Sequence, residues 1–143
     1  MPDPNPLIGT WSLIAWYNER EDGTRVYPLG EDASGYISYS PDGFVFVHLA
    51  AGNRQPFAKN DPFTGTDAEN TAAMQSHITD AGRFTDLGDH VVHHVTECSL
   101  PNWVGSEQRR EKAIVRDRLT LSAAGASFQG LAVTAFVEWE RTR

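Results

Sequence analysis

The chain has 143 residues and a mass of 15.8 kDa, room for one domain and not two, since domains run to about 100–150 residues around one core. With 40% hydrophobic and 22% charged residues it is too apolar for a disordered chain and too mixed for a fibrous one. Twelve Lys and Arg against nineteen Asp and Glu give a net charge of −7, which repels phosphate backbones and anionic membranes and argues against nucleic acid and membrane as partners.

Prolines at 2, 4 and 6 fix φ and withhold backbone donors, so residues 1–6 read as an extended lead-in and 7–143 as a single domain. From Gly9 to Arg20 the run GTWSLIAWYNER places Trp11, Leu13, Ala15 and Tyr17 on one side at period two, the mark of a long strand. Glu21-Asp22-Gly23 is a hairpin turn into a short strand at Thr24–Tyr27, which Pro28 and Gly30 end. Gly35–Tyr39 and Phe44–Leu49 form a second hairpin about the turn Ser40-Pro41-Asp42-Gly43.

Residues 51–65 read as a long loop with Gly52, Pro56, Pro62 and Gly65, of the kind that covers a cavity. Thr66-x-x-Glu69 has capping-box spacing and opens one short helix to about His77. Strands resume at Arg83–Leu87, His90–Ser99, Ser106–Val115, Arg118–Ser122 and Phe128–Glu140, with turns at Gly88-Asp89, Arg116-Asp117 and Ala123–Ser127 and an aromatic connection at Leu100–Gly105.

The fold class is therefore all-β and antiparallel, with about eight strands and one short helix. The first strand and the last, with Leu131, Val133, Ala135, Val137 and Trp139 on one face, are long and apolar. As free edges they would expose unpaired backbone, so their pairing predicts a closed up-and-down barrel, with room inside for side chains or one small ligand. The single Cys98 permits no intramolecular disulfide and fits a reducing compartment. The N-terminus lacks a secretory pattern, and the expected location is cytoplasmic.

Gly9-Thr10-Trp11, Tyr27-Pro28-Leu29-Gly30-Glu31-Asp32 with Gly35-Tyr36, Tyr39-Ser40-Pro41-Asp42-Gly43, and Pro101-Asn102-Trp103-Val104-Gly105 followed by Gln108 and Arg110 resemble, in this order, the bacterial and fungal lipocalin-like domain family. The resemblance spans Leu7 to Arg141 and implies a calycin-type barrel with an interior cavity. It also implies a choice of roles, since some lipocalin-like proteins act as cyclases or isomerases in natural-product pathways.

Several side chains are candidates for such a cavity. His90, His93 and His94 share a strand, but side chains alternate there, so one of His93 and His94 points inward. The H-x-x-H-H string is not a helical zinc motif, and no metal site is expected. Gln108, Arg110 and Lys112 share one face of their strand and Glu107, Arg109 and Glu111 the other. Because the family pattern matches Gln108 and Arg110, that pair is placed inside, where a buried guanidinium demands an oxygen partner. Tyr36, Tyr39 and Trp103 combine apolar area with a polar tip. Phe46 and His48 lie on a strand that is apolar on both faces.

Three functions follow from these residues. The first is binding of a small, largely apolar ligand by Tyr36, Tyr39, Phe46, His48, His93, His94, Trp103, Gln108 and Arg110. The second is a cofactor-free isomerase or cyclase with His94 as general acid or base and Arg110 steadying a developing oxyanion. The third is an interaction module with a filled barrel, which predicts a homodimer through Val45, Val47 and Leu49. No cofactor is called for by any motif, since phosphate loops and nucleophile elbows are absent from the sequence.

Overall fold

The computed structural model describes residues 5–128 and 131–143. Residues 1–4 of the expected lead-in, 129–130 of the expected last strand and the side chains of residues 126–128 and 131 lie outside the described residues.

The strands are β1 (Gly9–Arg20), β2 (Arg25–Val26), β3 (Ser34–Tyr39), β4 (Phe44–Ala50), β5 (His77–Asp86), β6 (His90–Cys98), β7 (Glu107–Val115), β8 (Arg118–Phe128) and β9 (Leu131–Arg141). They follow one another around an antiparallel sheet in the order β2-β1-β3-β4-β5-β6-β7-β8-β9, and β1 also pairs with β9. Eight strands thus close a barrel, with β2 as a short flap on β1. Closure leaves neither long apolar terminal strand as an edge.

The helix α1 (Asp67–Gln75) begins at Thr66, whose hydroxyl accepts from the Glu69 amide while the Glu69 carboxylate accepts from the Thr66 amide. Glu69 also accepts from the Ala58 amide at 2.7 Å, which ties the long loop to the helix start.

Three strands depart from the sequence reading. In β1 the register slips between Leu13 and Ala15, so Ile14 is a bulge and the inward face passes from Trp11 and Leu13 to Trp16 and Asn18. Tyr17, expected beside Ala15 on the inner face, stacks outside on Phe136 and Tyr27. β5 begins at His77 rather than Arg83, and the expected turn at Ala123–Ser127 is an irregularity within a longer β8.

One end of the barrel is closed by its own N-terminal segment. Leu7 is fully buried, its carbonyl accepts from Trp11 Nε1 at 3.1 Å, and Arg141 donates to the Ile8 and Pro6 carbonyls. Nearby Lys112 Nζ meets Asp86 at 2.6 Å, and Asn5 donates to the same carboxylate. The hydrocarbon core of Leu7, Trp11, Ile37, Tyr39, Val45, Val91, Leu119 and Trp139 fills this half of the interior.

Candidate functional site

Above that core the barrel encloses a cavity of about 380 Å³. This falls within the roughly 300–1,000 Å³ range of small-molecule sites. The reading of a barrel filled by side chains is therefore corrected. So is the dimer face it predicted: Val45, Val47 and Leu49 point inward, with Val45 and Leu49 in the core and Val47 and Leu49 lining the cavity.

Strand alternation divides the lining by chemistry. Most of the wall is apolar, with Ile37 from β3, Val47 and Leu49 from β4, Leu121 from β8, Val137 and Trp139 from β9, and Trp16 from β1. The charged and imidazole groups gather on three adjacent strands: Asp80 from β5, His93 from β6, Gln108 and Arg110 from β7. His93 and Gln108 are directly paired across β6 and β7. Trp103, in the short 3-10 turn Pro101–Trp103, and Pro28 add loop residues to the lining.

These groups have few partners of their own. Arg110 Nη2 donates to Gln108 Oε1 at 2.8 Å, and Nη1 donates to the Arg109 carbonyl. Among the described residues no hydrogen bond or ion pair reaches the Asp80 carboxylate, and its Oδ1 is buried without a partner, as is Trp139 Nε1. Burial lifts the Asp80 carboxyl to about 6, although the Arg110 charge pulls the other way. Burial likewise lowers Arg110, opposed by Asp80 and Tyr39.

His93 is 5% exposed, and burial, with help from the Arg110 and His94 charges, pushes it down to about 3. It is therefore a neutral imidazole at ordinary pH. Its Nε2 lies 2.7 Å from the Tyr39 hydroxyl. Burial raises that phenol well above its usual value, so the hydrogen bond joins two neutral groups, a phenol and an imidazole.

Of the residues singled out from the sequence, His93, Trp103, Gln108 and Arg110 line the cavity. Tyr39 is fully buried behind it and acts on it through His93. Four others are corrected to the outer face by alternation on their strands. Tyr36 and Phe46 are 58% and 54% exposed, and with His48 they border a shallow external groove. His94 faces outward between Thr85 Oγ1 at 2.9 Å and Glu107 at 3.2 Å, so it cannot serve as an acid or base in the cavity.

Sequence reasoning missed Asp80, Asn18 and Trp16. Asp80 lay in the stretch between the helix and the expected strand, although Ile78, Asp80, Gly82 and Phe84 already alternate there with Thr79, Ala81 and Arg83. Asn18 and Trp16 were hidden by the bulge at Ile14.

A model of the lipocalin-like domain matches residues 8–142, nearly the entire chain. The protein belongs to the lipocalin-like domain family. A relative in this comparison is the 4′-hydroxy-3′-methoxypropiophenone carrier protein ppsC of Aspergillus oryzae (strain ATCC 42149 / RIB 40), 33% identical over 87 residues, which cover 54% of this chain and 78% of the relative. Among solved structures, an uncharacterized protein from Bacteroides eggerthii DSM 20697 is similar with a TM-score of 0.46 and 10% identity, covering 94% of this lipocalin-like chain and 98% of its own. No described helix is long and apolar enough to cross a membrane.

Proposed function

We propose that the barrel binds one small, largely apolar molecule bearing oxygen, held by Arg110, Gln108 and His93, with Trp103 among the lining side chains. The observation that carries this reading is the cavity itself, with apolar walls and polar groups on β5–β7, of which Asp80 Oδ1 is buried without a partner among the described residues. Apolar walls supply affinity, and a few polar groups fix orientation. The description of the Aspergillus oryzae relative as a carrier of an aryl ketone supports a carrier role in natural-product chemistry.

Native mass spectrometry of freshly purified protein tests this. A small organic molecule that leaves on denaturation is expected, or saturable binding when 4′-hydroxy-3′-methoxypropiophenone is added. A bare protein mass from every preparation, with no saturable uptake of that ketone, would contradict it.

A second reading, a cofactor-free isomerase or cyclase, is supported by one feature: a carboxyl near 6 and a neutral imidazole lining the same cavity suit proton transfer. In that reading Asp80 and His93 replace His94 as acid and base, and Arg110 steadies the developing oxyanion. Asp80→Asn would then lower turnover of a trial substrate more than it weakens binding, whereas a carrier loses affinity alone.

A further inference from the structure

Asp80 on β5 and Arg110 on β7 line the same cavity at different levels, Asp80 paired with Cys98 of β6 and Arg110 with Val91, and no ion pair joins them among the described residues. Arg110 turns to Gln108 Oε1 instead, and the Asp80 carboxylate is left without a donor among the described residues. A carboxylate inside a mostly apolar barrel is costly unless hydrogen-bonded. What is missing is a proton donor for the Asp80 carboxylate.

Ligand groups differ in how they meet that need. A carbonyl or an ether oxygen satisfies Arg110 but brings nothing to Asp80. An ammonium would satisfy Asp80 and be repelled by Arg110. A hydroxyl meets it, because its O–H donates to the carboxylate and it brings no positive charge for Arg110 to repel.

We infer that the ligand carries a phenolic or alcoholic hydroxyl that donates to Asp80, and that the cavity selects hydroxylated molecules against their methyl ethers. This rests on the binding reading above and adds to it the class of ligand. A site built around a group that needs a proton donor discriminates strongly against an analogue lacking one, since the carboxylate is then buried unpaired.

Equilibrium dialysis of 2-naphthol against 2-methoxynaphthalene, at about pH 8 where Asp80 is ionised, tests the inference. The naphthol is expected to bind about tenfold tighter or more, as a hydrogen bond to a charged group requires. In Asp80→Leu, which removes the acceptor while keeping the shape, that ratio should fall to about one with the methyl ether bound no more weakly than before. In Asp80→Asn, a milder change that guards against misfolding of the first, the ratio should fall by several-fold. Equal binding of the two compounds by the unmodified protein, or an unchanged ratio in a folded variant, would overturn the hydroxyl inference and leave the binding reading standing. Failure of both compounds to bind up to their solubility would overturn the two together.

Discussion

Tyr39 and His93 stand three strands apart in the barrel wall, on β3 and β6, and their side chains meet in the interior through a 2.7 Å hydrogen bond. The bond joins a neutral phenol to an imidazole that burial keeps neutral, and Phe84 packs edge-on against the phenol ring at 4.9 Å. The orientation of the cavity's only histidine among the described residues is thus set by a residue behind it.

Tyr39→Phe keeps the ring and removes the hydroxyl, leaving His93 Nε2 buried and unpaired. The expected cost is about 1–3 kcal/mol of stability, read as a lower denaturant midpoint at unchanged slope. A double-mutant cycle with His93→Phe should give a coupling of at least about 0.5 kcal/mol. Additive single changes would contradict the pairing.

Asp80 makes a signed pH prediction. Its carboxyl stands at about 6 in the fold against 3.8 for the free group, so the fold favours the protonated form. That contribution is present in full below the unfolded value and is lost as pH rises through about 6, after which the ionised group weakens the fold by about 3 kcal/mol, to order of magnitude. Asp80→Asn should therefore melt higher than the unmodified protein at about pH 8, with the gain fading below about pH 4. An equal or lower melting temperature at the alkaline end would mean that Asp80 has a partner.

His93 acts in the opposite sense. Its folded value near 3 lies below the ordinary 6.5, so the stability it contributes is complete above 6.5 and is lost as pH falls toward 3. His93→Gln retains an acceptor for the Tyr39 hydroxyl and does not titrate. Melting temperatures between about pH 6 and pH 3 should decline less steeply in that variant, and an unchanged slope would refute the account.

Closure of the barrel was legible in the sequence because β1 and β9 are both too long and too apolar on one face to stand as edges. Alternation placed Gln108 and Arg110 on a common face and separated His93 from His94 for the same reason: neighbours on a strand point to opposite sides. What alternation cannot register is an extra residue. The bulge at Ile14 turns Trp16 and Asn18 inward where an even count puts Ala15 and Tyr17. β4 was ambiguous on chemistry alone, since Phe44 and Phe46 are as apolar as Val45 and Val47. Its register with β3 and β5 decides the face.

Gly82 is a position where backbone crowding, not turn geometry, requires glycine. A Cβ there would overlap the His94 carbonyl on the neighbouring strand, beside the register slip that follows Ala81. Gly82→Ala should destabilise the fold by about 1–3 kcal/mol in chemical denaturation, and a neutral result would show that β6 yields at the slip.

The four outward candidates provide a control for binding. Tyr36→Ala, Phe46→Ala, His48→Ala and His94→Ala should each leave the affinity for 2-naphthol within about twofold, whereas Arg110→Leu should weaken it by about tenfold. Calorimetric titration separates these outcomes, and a large loss in any of the four would move the site to the outer face of the barrel.

Ala135 pairs with Asn18 across β1 and β9 and lines the cavity, so Ala135→Phe places a ring in the space assigned to the ligand. Titration of 2-naphthol into that variant, with its fold verified by circular dichroism, is the most direct trial of binding inside the barrel. The account predicts a folded protein that has lost the ligand. A folded Ala135→Phe protein that binds it as the unmodified chain does would contradict the account.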